Sequence, residues 1–129
     1  MTNSLASTVQ AHKALAHSAR IRILAMLKGG DLCVCQLTAV LALAPSTVSA
    51  HLAELRRAGM VTERKEGRWV HYALGTSPAA GKYLELLWSQ LRGDQRVAED
   101  EVAVKSLRAI PVDEFCAMSA QTVQHSCAR

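Results

Sequence analysis

Four cysteines are the residues of this chain best suited to chemistry. Cys33 and Cys35 lie two positions apart, whereas Cys116 and Cys127 lie near the end of the 129 residues. Thiolates are soft ligands that select soft ions: a pyramidal trivalent metalloid takes three sulfurs, or two and an outside ligand, whereas cadmium or zinc usually takes four donors. The pair at 33 and 35 provides two sulfurs, so it can be only part of such a site.

The spacing of the cysteines restricts how they could share an ion. On a regular helix, residues two apart point about 200° away from each other. Cys33 and Cys35 could therefore bind one ion only if the first turn of their helix is irregular or unwinds. Cys116 and Cys127 would lie about 16 Å apart on one helix, so both could not join one ion in the same chain. Tail cysteines without any role, and Cys33 as a small buried hydrophobe, are the plain alternatives.

The rest of the sequence indicates in which compartment the thiols work and whether they are catalytic. No N-terminal stretch has the form of a signal peptide, and the longest apolar run, residues 39–45, is too short to span a bilayer. We expect a cytoplasmic protein with no membrane partner, in which cysteines are free thiols, ligands or redox sensors. Cys33 has no nearby histidine and no anion-binding loop, which argues against a thiol enzyme. We therefore expect no enzymatic activity and no catalytic cofactor.

Helical periodicity and breakers divide the chain into short elements. Ser18 and Asp31 are the expected N-caps of the second and third helices, and Pro45 restarts a fourth after a tight turn. The third and fourth helices form a helix-turn-helix. The expected helices cover residues 4–16, 18–28, 32–43, 45–58 and 79–92, and a weaker one runs from 94 to 110.

The fourth helix is a candidate for reading DNA. Val48, Leu52 and Leu55 form its apolar stripe, so the opposite face is free. Small polar residues lead this face and arginines follow, which suits insertion of the N-terminal end into a major groove. The candidate base-reading residues are Ser46, Thr47, Ser49 and Ala50, the candidate phosphate contacts are Arg56 and Arg57, and His51 is assigned to the same helix.

A basic β-hairpin follows that helix. Apolar residues alternate between Val61 and Leu74, with Glu66-Gly67 as the expected turn. Arg64, Lys65 and Arg68 lie at the tip, the arrangement of a wing beside a helix-turn-helix. Residues 1–75 contain nine Lys and Arg against four Asp and Glu, whereas the remainder contains six against seven. The positive charge is thus concentrated where phosphate contacts are expected.

The helix over residues 79–92 has an unusually broad apolar face. Leu84, Leu87, Trp88 and Leu91 form one stripe, which predicts burial against a partner subunit. The expected fold is mostly α with a β-hairpin wing, a winged helix-turn-helix that forms a homodimer. Residues 1–93 would form the DNA-binding and dimerisation domain, and residues 94–129 a helical extension and a tail with two cysteines.

Several segments resemble one known family, the arsenical-repressor (ArsR-type) metalloregulators. The similarity covers about residues 15–92 and rests on LA (15–16), ARIRIL (19–24), DLCVCQL (31–37), STVSAHL (46–52) and LRRAGMV (55–61). It implies a winged-helix dimer joined through its first and last core helices. It also implies a repressor of double-stranded operator DNA, bound to an inverted repeat at its own promoter and released by an inducer. Residues 46, 47, 49 and 50 would face the major groove, although Ala50 replaces a frequent histidine or arginine.

The resemblance also bears on the inducer. Zinc members use acidic and histidine ligands on the dimer helix, but residues 79–92 offer only Glu85. Cys33 and Cys35 match the motif of arsenic, antimony, cadmium and lead sensors; one arsenic type adds a third cysteine where this chain has Thr38. The resemblance thus implies release by trivalent arsenic (arsenite or methylarsenite) or antimony at Cys33 and Cys35. Cys116 and Cys127, in cis or in trans, are the candidates for a further sulfur ligand. Cadmium or lead sensing and thiol-redox sensing stay open.

The expected mechanism couples the two sites through the third helix. Ion binding would distort the start of that helix, which holds the DNA-reading helix at its competent angle. Inducer and operator would then favour different conformations, and their coupling would be reciprocal.

Overall fold

A computed structural model describes residues 4–117, and Cys127 lies outside this range. The chain is mostly helical with one small antiparallel sheet, and the predicted winged helix-turn-helix is confirmed. In chain order the elements are α1 (Leu5–Leu15), α2 (Ser18–Leu27), β1 (Leu32–Cys33), α3 (Val34–Leu41), α4 (Pro45–Arg57), β2 (Val61–Glu66), β3 (Trp69–Leu74), α5 (Pro78–Gln90) and α6 (Gln95–Arg108). Residues 112–117 form a further short helical segment.

The core lies where α2, α3 and α4 meet the root of the hairpin. Ile23, Leu24, Leu37, Leu52 and Leu55 are completely buried. Each such side chain contributes about 1.5–3 kcal/mol relative to an exposed one. The apolar stripe expected on α4 is therefore what anchors that helix and leaves its other face free.

The third helix begins later than expected, because a short strand precedes it. Leu32 and Cys33 are extended and pair with Tyr72 and His71 of β3, so the helix starts at Val34. Its N-cap is Cys33, with φ −93° and ψ 167°, and Asp31 is not the cap. The second helix is likewise capped by His17, whose Nδ1 accepts the Ala19 N–H at 3.1 Å, rather than by Ser18.

The hairpin turn also differs from the expectation by one residue. Strands β2 and β3 pair from Val61 with Leu74 to Glu66 with Trp69, which leaves Gly67 and Arg68 as the turn. Gly67 has φ 61°, a left-handed conformation that glycine adopts without a steric penalty. Placing the glycine first in the turn sets the register, so the predicted Glu66-Gly67 turn is wrong.

The root of the hairpin lies directly on the end of α4. The Gly75 N–H donates to the Met60 carbonyl oxygen at 2.7 Å. A side-chain carbon on Gly75 would collide with the carbonyl oxygen of Gly59, whose φ of 76° ends α4. Only glycine at position 75 allows this close approach.

Helix α6 is fastened to α2 by two arginines. The Arg22 guanidinium donates to both carboxylate oxygens of Asp100, at 2.8 and 2.9 Å, and Asp100 is buried. The Arg108 guanidinium donates to the carbonyl oxygens of Gly29 and Gly30 at 2.6 and 2.8 Å. These contacts direct the chain after α6 back towards the start of α3.

The outer surfaces of α1 and α5 are partly apolar. Ala80, Leu84 and Leu87 of α5 are buried within the chain, whereas Leu86 and, on α1, Leu5 are exposed. The two helices are neighbours, since the rings of His12 and Tyr83 meet edge to face with centroids 5.5 Å apart.

Over residues 4–117, no single helix is both long and apolar enough to cross a membrane; α3 and α4 reach such a length only as a pair bent by 112°.

Candidate functional site

Three sulfurs meet at the N-terminal end of α3. The Sγ atoms of Cys33, Cys35 and Cys116 all lie within 4.8 Å of one another. Cys33 Sγ is 3.0 Å from Cys35 Sγ and 3.2 Å from Cys116 Sγ, and Cys35 and Cys116 are close enough to form a disulfide, with Cα atoms 5.6 Å apart. Both the sequence-predicted pair and one of the two tail cysteines therefore come together in one chain.

The short strand β1 explains how Cys33 and Cys35 can point to one place. Because Cys33 is extended and only Cys35 belongs to the first helical turn, the two side chains are not held on opposite sides of a helix. The Cys33 N–H is fixed by the Gln36 Oε1 at 2.9 Å. The irregular helix start that the sequence required for a shared ion is thus present.

Cys116 reaches the pair from 81 residues beyond Cys35 in the sequence. Helix α6 carries the chain along α2, and the segment after Pro111 places Phe115 and Cys116 in buried positions. Sequence spacing could not choose between Cys116 and Cys127, and Cys127 lies outside the described residues. The one signal in the sequence was Phe115 directly before Cys116, because an aromatic residue in a mostly polar segment indicates that the segment packs against the core.

The site is apolar in character. Burial raises the pKa of the Cys33 thiol, and the neighbouring backbone N–H groups of Gln36 and Cys35 oppose this rise. The cluster consists of sulfur alone: among residues 4–117 no histidine or carboxylate joins it. Three converging thiols can hold a pyramidal trivalent metalloid, while a tetrahedral divalent ion would lack one donor. The same proximity also allows thiol oxidation.

The candidate base-reading residues lie together on the surface. Ser46, Thr47, Ser49 and Ala50 are all exposed in the first turns of α4, while Val48 faces the core. Three of these four residues carry a hydroxyl group, and the fourth, Ala50, carries a methyl group.

His51 lies on α4 as predicted but faces inwards. Its Nδ1 accepts a hydrogen bond from Arg20 Nε at 3.1 Å, and its ring centroid is 4.4 Å from that of His17. Burial, and then the nearby His17 and Arg20, lower the pKa of His51. The structure thus brings His17 and His51 together, and His51 supports α4 from within instead of lying on its exposed face.

The arginines proposed as phosphate contacts are exposed, but several are already paired. Arg56 pairs with Glu63, and Arg57 pairs with Glu54. Arg64 pairs with Asp31 at 2.8 Å and with Glu66 at 3.1 Å. Exposed ion pairs contribute about 0–1 kcal/mol, so phosphates can displace them. Within residues 4–117, Lys65 and Arg68 have no carboxylate within 4.0 Å and need no such exchange.

Comparison with known proteins gives a consistent result. Residues 17–63 match the profile described as "Bacterial regulatory protein, arsR family". The arsenical resistance operon repressor of Escherichia coli is 41% identical over 83 residues, which cover 62% of this chain and 71% of that protein. The arsenic resistance transcriptional regulator ArsR1 of Pseudomonas putida is 46% identical over 63 residues, 48% of this chain and 49% of its own length.

A solved structure shows the same architecture. The homodimeric winged helix-turn-helix DNA-binding domain of Mb0332 from Mycobacterium bovis superposes with a TM-score of 0.60 and 26% identity. The match covers 74% of this chain and 85% of that one.

Proposed function

This chain belongs to the ArsR family of bacterial DNA-binding transcriptional regulators, and from this premise we propose that it is a homodimeric repressor released from its operator by trivalent arsenic or antimony. The observation that carries the proposal is the convergence of Cys33, Cys35 and Cys116 on one point. The relatives named for arsenical resistance support this class of inducer, and the homodimeric neighbour supports the dimer.

The proton balance at the cluster favours a metalloid over a divalent cation. Arsenite is As(OH)₃ at neutral pH, so three thiols form three As–S bonds while their protons leave with the hydroxides as three waters. The product is neutral, which suits a site where Cys33 and Cys116 are buried. A divalent cation must instead expel thiol protons, and with three thiolates it leaves one net negative charge. Neutral products therefore fit this environment better.

Coupling to DNA follows from the position of the cluster. Cys33 and Cys35 begin α3, and α3 ends at Ala42 in a left-handed turn only a few residues before α4. A shift at the start of α3 therefore moves the end of α4 that carries Ser46, Thr47 and Ser49. Inducer and operator would favour different positions of α4, so each weakens binding of the other by the same factor.

The test is operator release from the reduced protein. DNA from the region upstream of its own coding sequence is labelled, bound, and titrated with arsenite or antimonite while anisotropy is recorded. Cys33→Ser, Cys35→Ser and Cys116→Ser should keep DNA affinity within about twofold but need at least about ten times more arsenite for release, because a hydroxyl is a poor soft-ion ligand. Cys127→Ser is the matched control. Normal release in Cys116→Ser, or no release of the unaltered protein, would contradict the proposal.

A second candidate, redox sensing, is favoured by the proximity of Cys35 and Cys116. A peroxide would take two electrons and two protons from these thiols, which form one S–S bond, and its two oxygens would leave as two waters or, from an alkyl peroxide, as one water and one alcohol. This reaction does not need Cys33. Release by peroxide that persists in Cys33→Ser but disappears in Cys35→Ser would support it, whereas release by arsenite that requires all three cysteines supports the metalloid.

A further inference from the structure

The wing lies between two stretches of chain that each carry a cysteine of the cluster. The first stretch is residues 31–33. Asp31 pairs with Arg64 of β2 at 2.8 Å, and Leu32 and Cys33 pair with Tyr72 and His71 of β3. The backbone of Cys33 is thus part of the same sheet as the wing.

The second stretch is residues 111–117. The Trp69 indole N–H of β3 donates to the Asp113 carboxylate. Around this bond is an open cleft of about 490 Å³, lined on the wing side by Glu66, Arg68, Trp69 and His71 and on the other side by Pro111, Val112 and Asp113. The wing and this segment therefore face each other across the cleft and are joined there by this hydrogen bond rather than by close packing.

We propose that residues 111–117 act as a latch on the wing, so that occupation of the thiolate site repositions the wing through the Trp69–Asp113 bond. Asp113 and Cys116 are three residues apart in a helical segment, hence one turn apart on one face. A displacement of Cys116 towards a bound ion therefore displaces the Asp113 carboxylate as well. Trp69 and Asp113 are positioning residues, and this role rests on the proposed function.

A small displacement of Trp69, at the wing end of the latch, is expected to affect the phosphate contact of Arg68. Trp69 follows Arg68 directly, and the Arg68 guanidinium lies 5.6 Å from the centre of the Trp69 ring. A hydrogen bond to a phosphate is lost once the donor and acceptor separate beyond about 3.5 Å. A movement of about 1 Å at Trp69 is enough to separate Arg68 from its phosphate. The latch thus gives the inducer a second route to the DNA, besides α3 and α4.

Asp113→Ala and Trp69→Phe remove the two ends of the bond. Glu114→Ala is the matched control, since Glu114 is the neighbouring exposed carboxylate. Arsenite affinity is measured for the reduced full chain, free and bound to its promoter DNA, and the ratio gives the coupling factor. We expect Asp113→Ala and Trp69→Phe to reduce this factor at least fivefold while the affinity of the free protein changes less than twofold. Glu114→Ala should leave both quantities unchanged.

Tryptophan fluorescence provides a readout that a merely structural role would not affect. The chain has two tryptophans, so Trp88→Phe leaves Trp69 as the single reporter. Arsenite should shift its emission in that background, and adding Asp113→Ala should abolish the shift. If the unaltered protein does not bind arsenite, the proposed function itself is rejected. Normal arsenite release with an unchanged coupling factor in Asp113→Ala would reject the latch alone.

Discussion

Thr38 stands one helical turn after Cys35, and its buried hydroxyl has no hydrogen-bond partner in the described part of the chain. Position 38 is therefore the natural place for a third sulfur within α3. In the proposed site the third sulfur comes from Cys116 instead, so this ligand lies on a separate segment of the chain.

A third sulfur at position 38 should be able to replace the third sulfur of Cys116. Cys116→Ser is expected to weaken arsenite binding by about tenfold or more, a loss of about 1.4 kcal/mol. Adding Thr38→Cys should restore most of it, because no hydrogen bond is lost at Thr38 and the new sulfur lies beside Cys35. Titration of the reduced variants checks this, with Cys116→Ser/Thr47→Cys as the control, since Thr47 is exposed on α4. Equal affinities in the presence and absence of Cys116 would show that it is not a ligand.

Protonation should distinguish the two classes of ion. Because burial raises the pKa of Cys33, this residue is a thiol at neutral pH and a cation must displace its proton. Cadmium affinity should therefore rise with pH, about tenfold per unit for each proton displaced, whereas arsenite affinity stays nearly constant between pH 6 and 8. Calorimetry in buffers of different ionisation enthalpy counts the released protons. Similar proton release for both ions would contradict the neutral three-sulfur product.

At the scale of elements, one buried ion pair, between Arg22 and Asp100, helps to hold α6 against α2. Asp100→Ala leaves the Arg22 guanidinium without its partner, and the side chain of Arg22 is only 22% exposed. We expect a loss of about 3 kcal/mol in the free energy of unfolding, measured with urea. The control is Glu99→Ala, which removes an exposed pair with Arg96 at 3.7 Å and should cost below about 1 kcal/mol. Equal losses from both variants would mean that α6 is held by other contacts.

His51 should make the support of α4 sensitive to acid. Its pKa is lowered in the folded state by burial, His17 and Arg20, so the unfolded chain binds a proton near pH 6.5 that the folded chain does not. The contribution is constant above about pH 6.5, and the free energy of unfolding decreases as pH falls below it. Urea denaturation at pH 7.5 and 5.5 measures this decrease, which should be smaller in His51→Gln than in the exposed control His12→Gln. The same decrease in both would assign it to other groups.

Elements formed by interactions between residues close in the sequence could be predicted, whereas elements formed by contacts between distant residues could not. Local periodicity and breakers predicted α4, the wing and α5 within about two residues, because their apolar patterns lie within each segment. Strand β1 could not be predicted, since its two residues are extended only through pairing with His71 and Tyr72, about 40 positions away. For the same reason the sequence named Cys116 only beside Cys127 as a possible partner of Cys33 and Cys35, because α6 and its contacts with α2 bring Cys116 to the pair.

At the scale of the whole molecule, we expect binding to DNA to divide between α4 and the wing. Lys65→Ala and Arg68→Ala should weaken binding to specific and random DNA alike and reduce the slope of log affinity against log salt by about 0.9 per lost contact. Arg64→Ala should have a smaller effect, because Arg64 must first leave Asp31 and Glu66. Ser49→Ala should instead reduce discrimination between sites. Anisotropy titrations over a range of salt check all four, and equal loss of sequence preference would contradict the division.

The close contact between Gly75 and Gly59 fixes the root of the hairpin against the end of α4. Strands of six residues are about 20 Å long, so the hairpin is a lever held at one end. A tilt of about 3° at the root of a hairpin about 20 Å long displaces the tip by about 1 Å. Because the root is fixed at Gly75, a small change in the angle of the hairpin moves its tip far enough to separate a guanidinium from a phosphate.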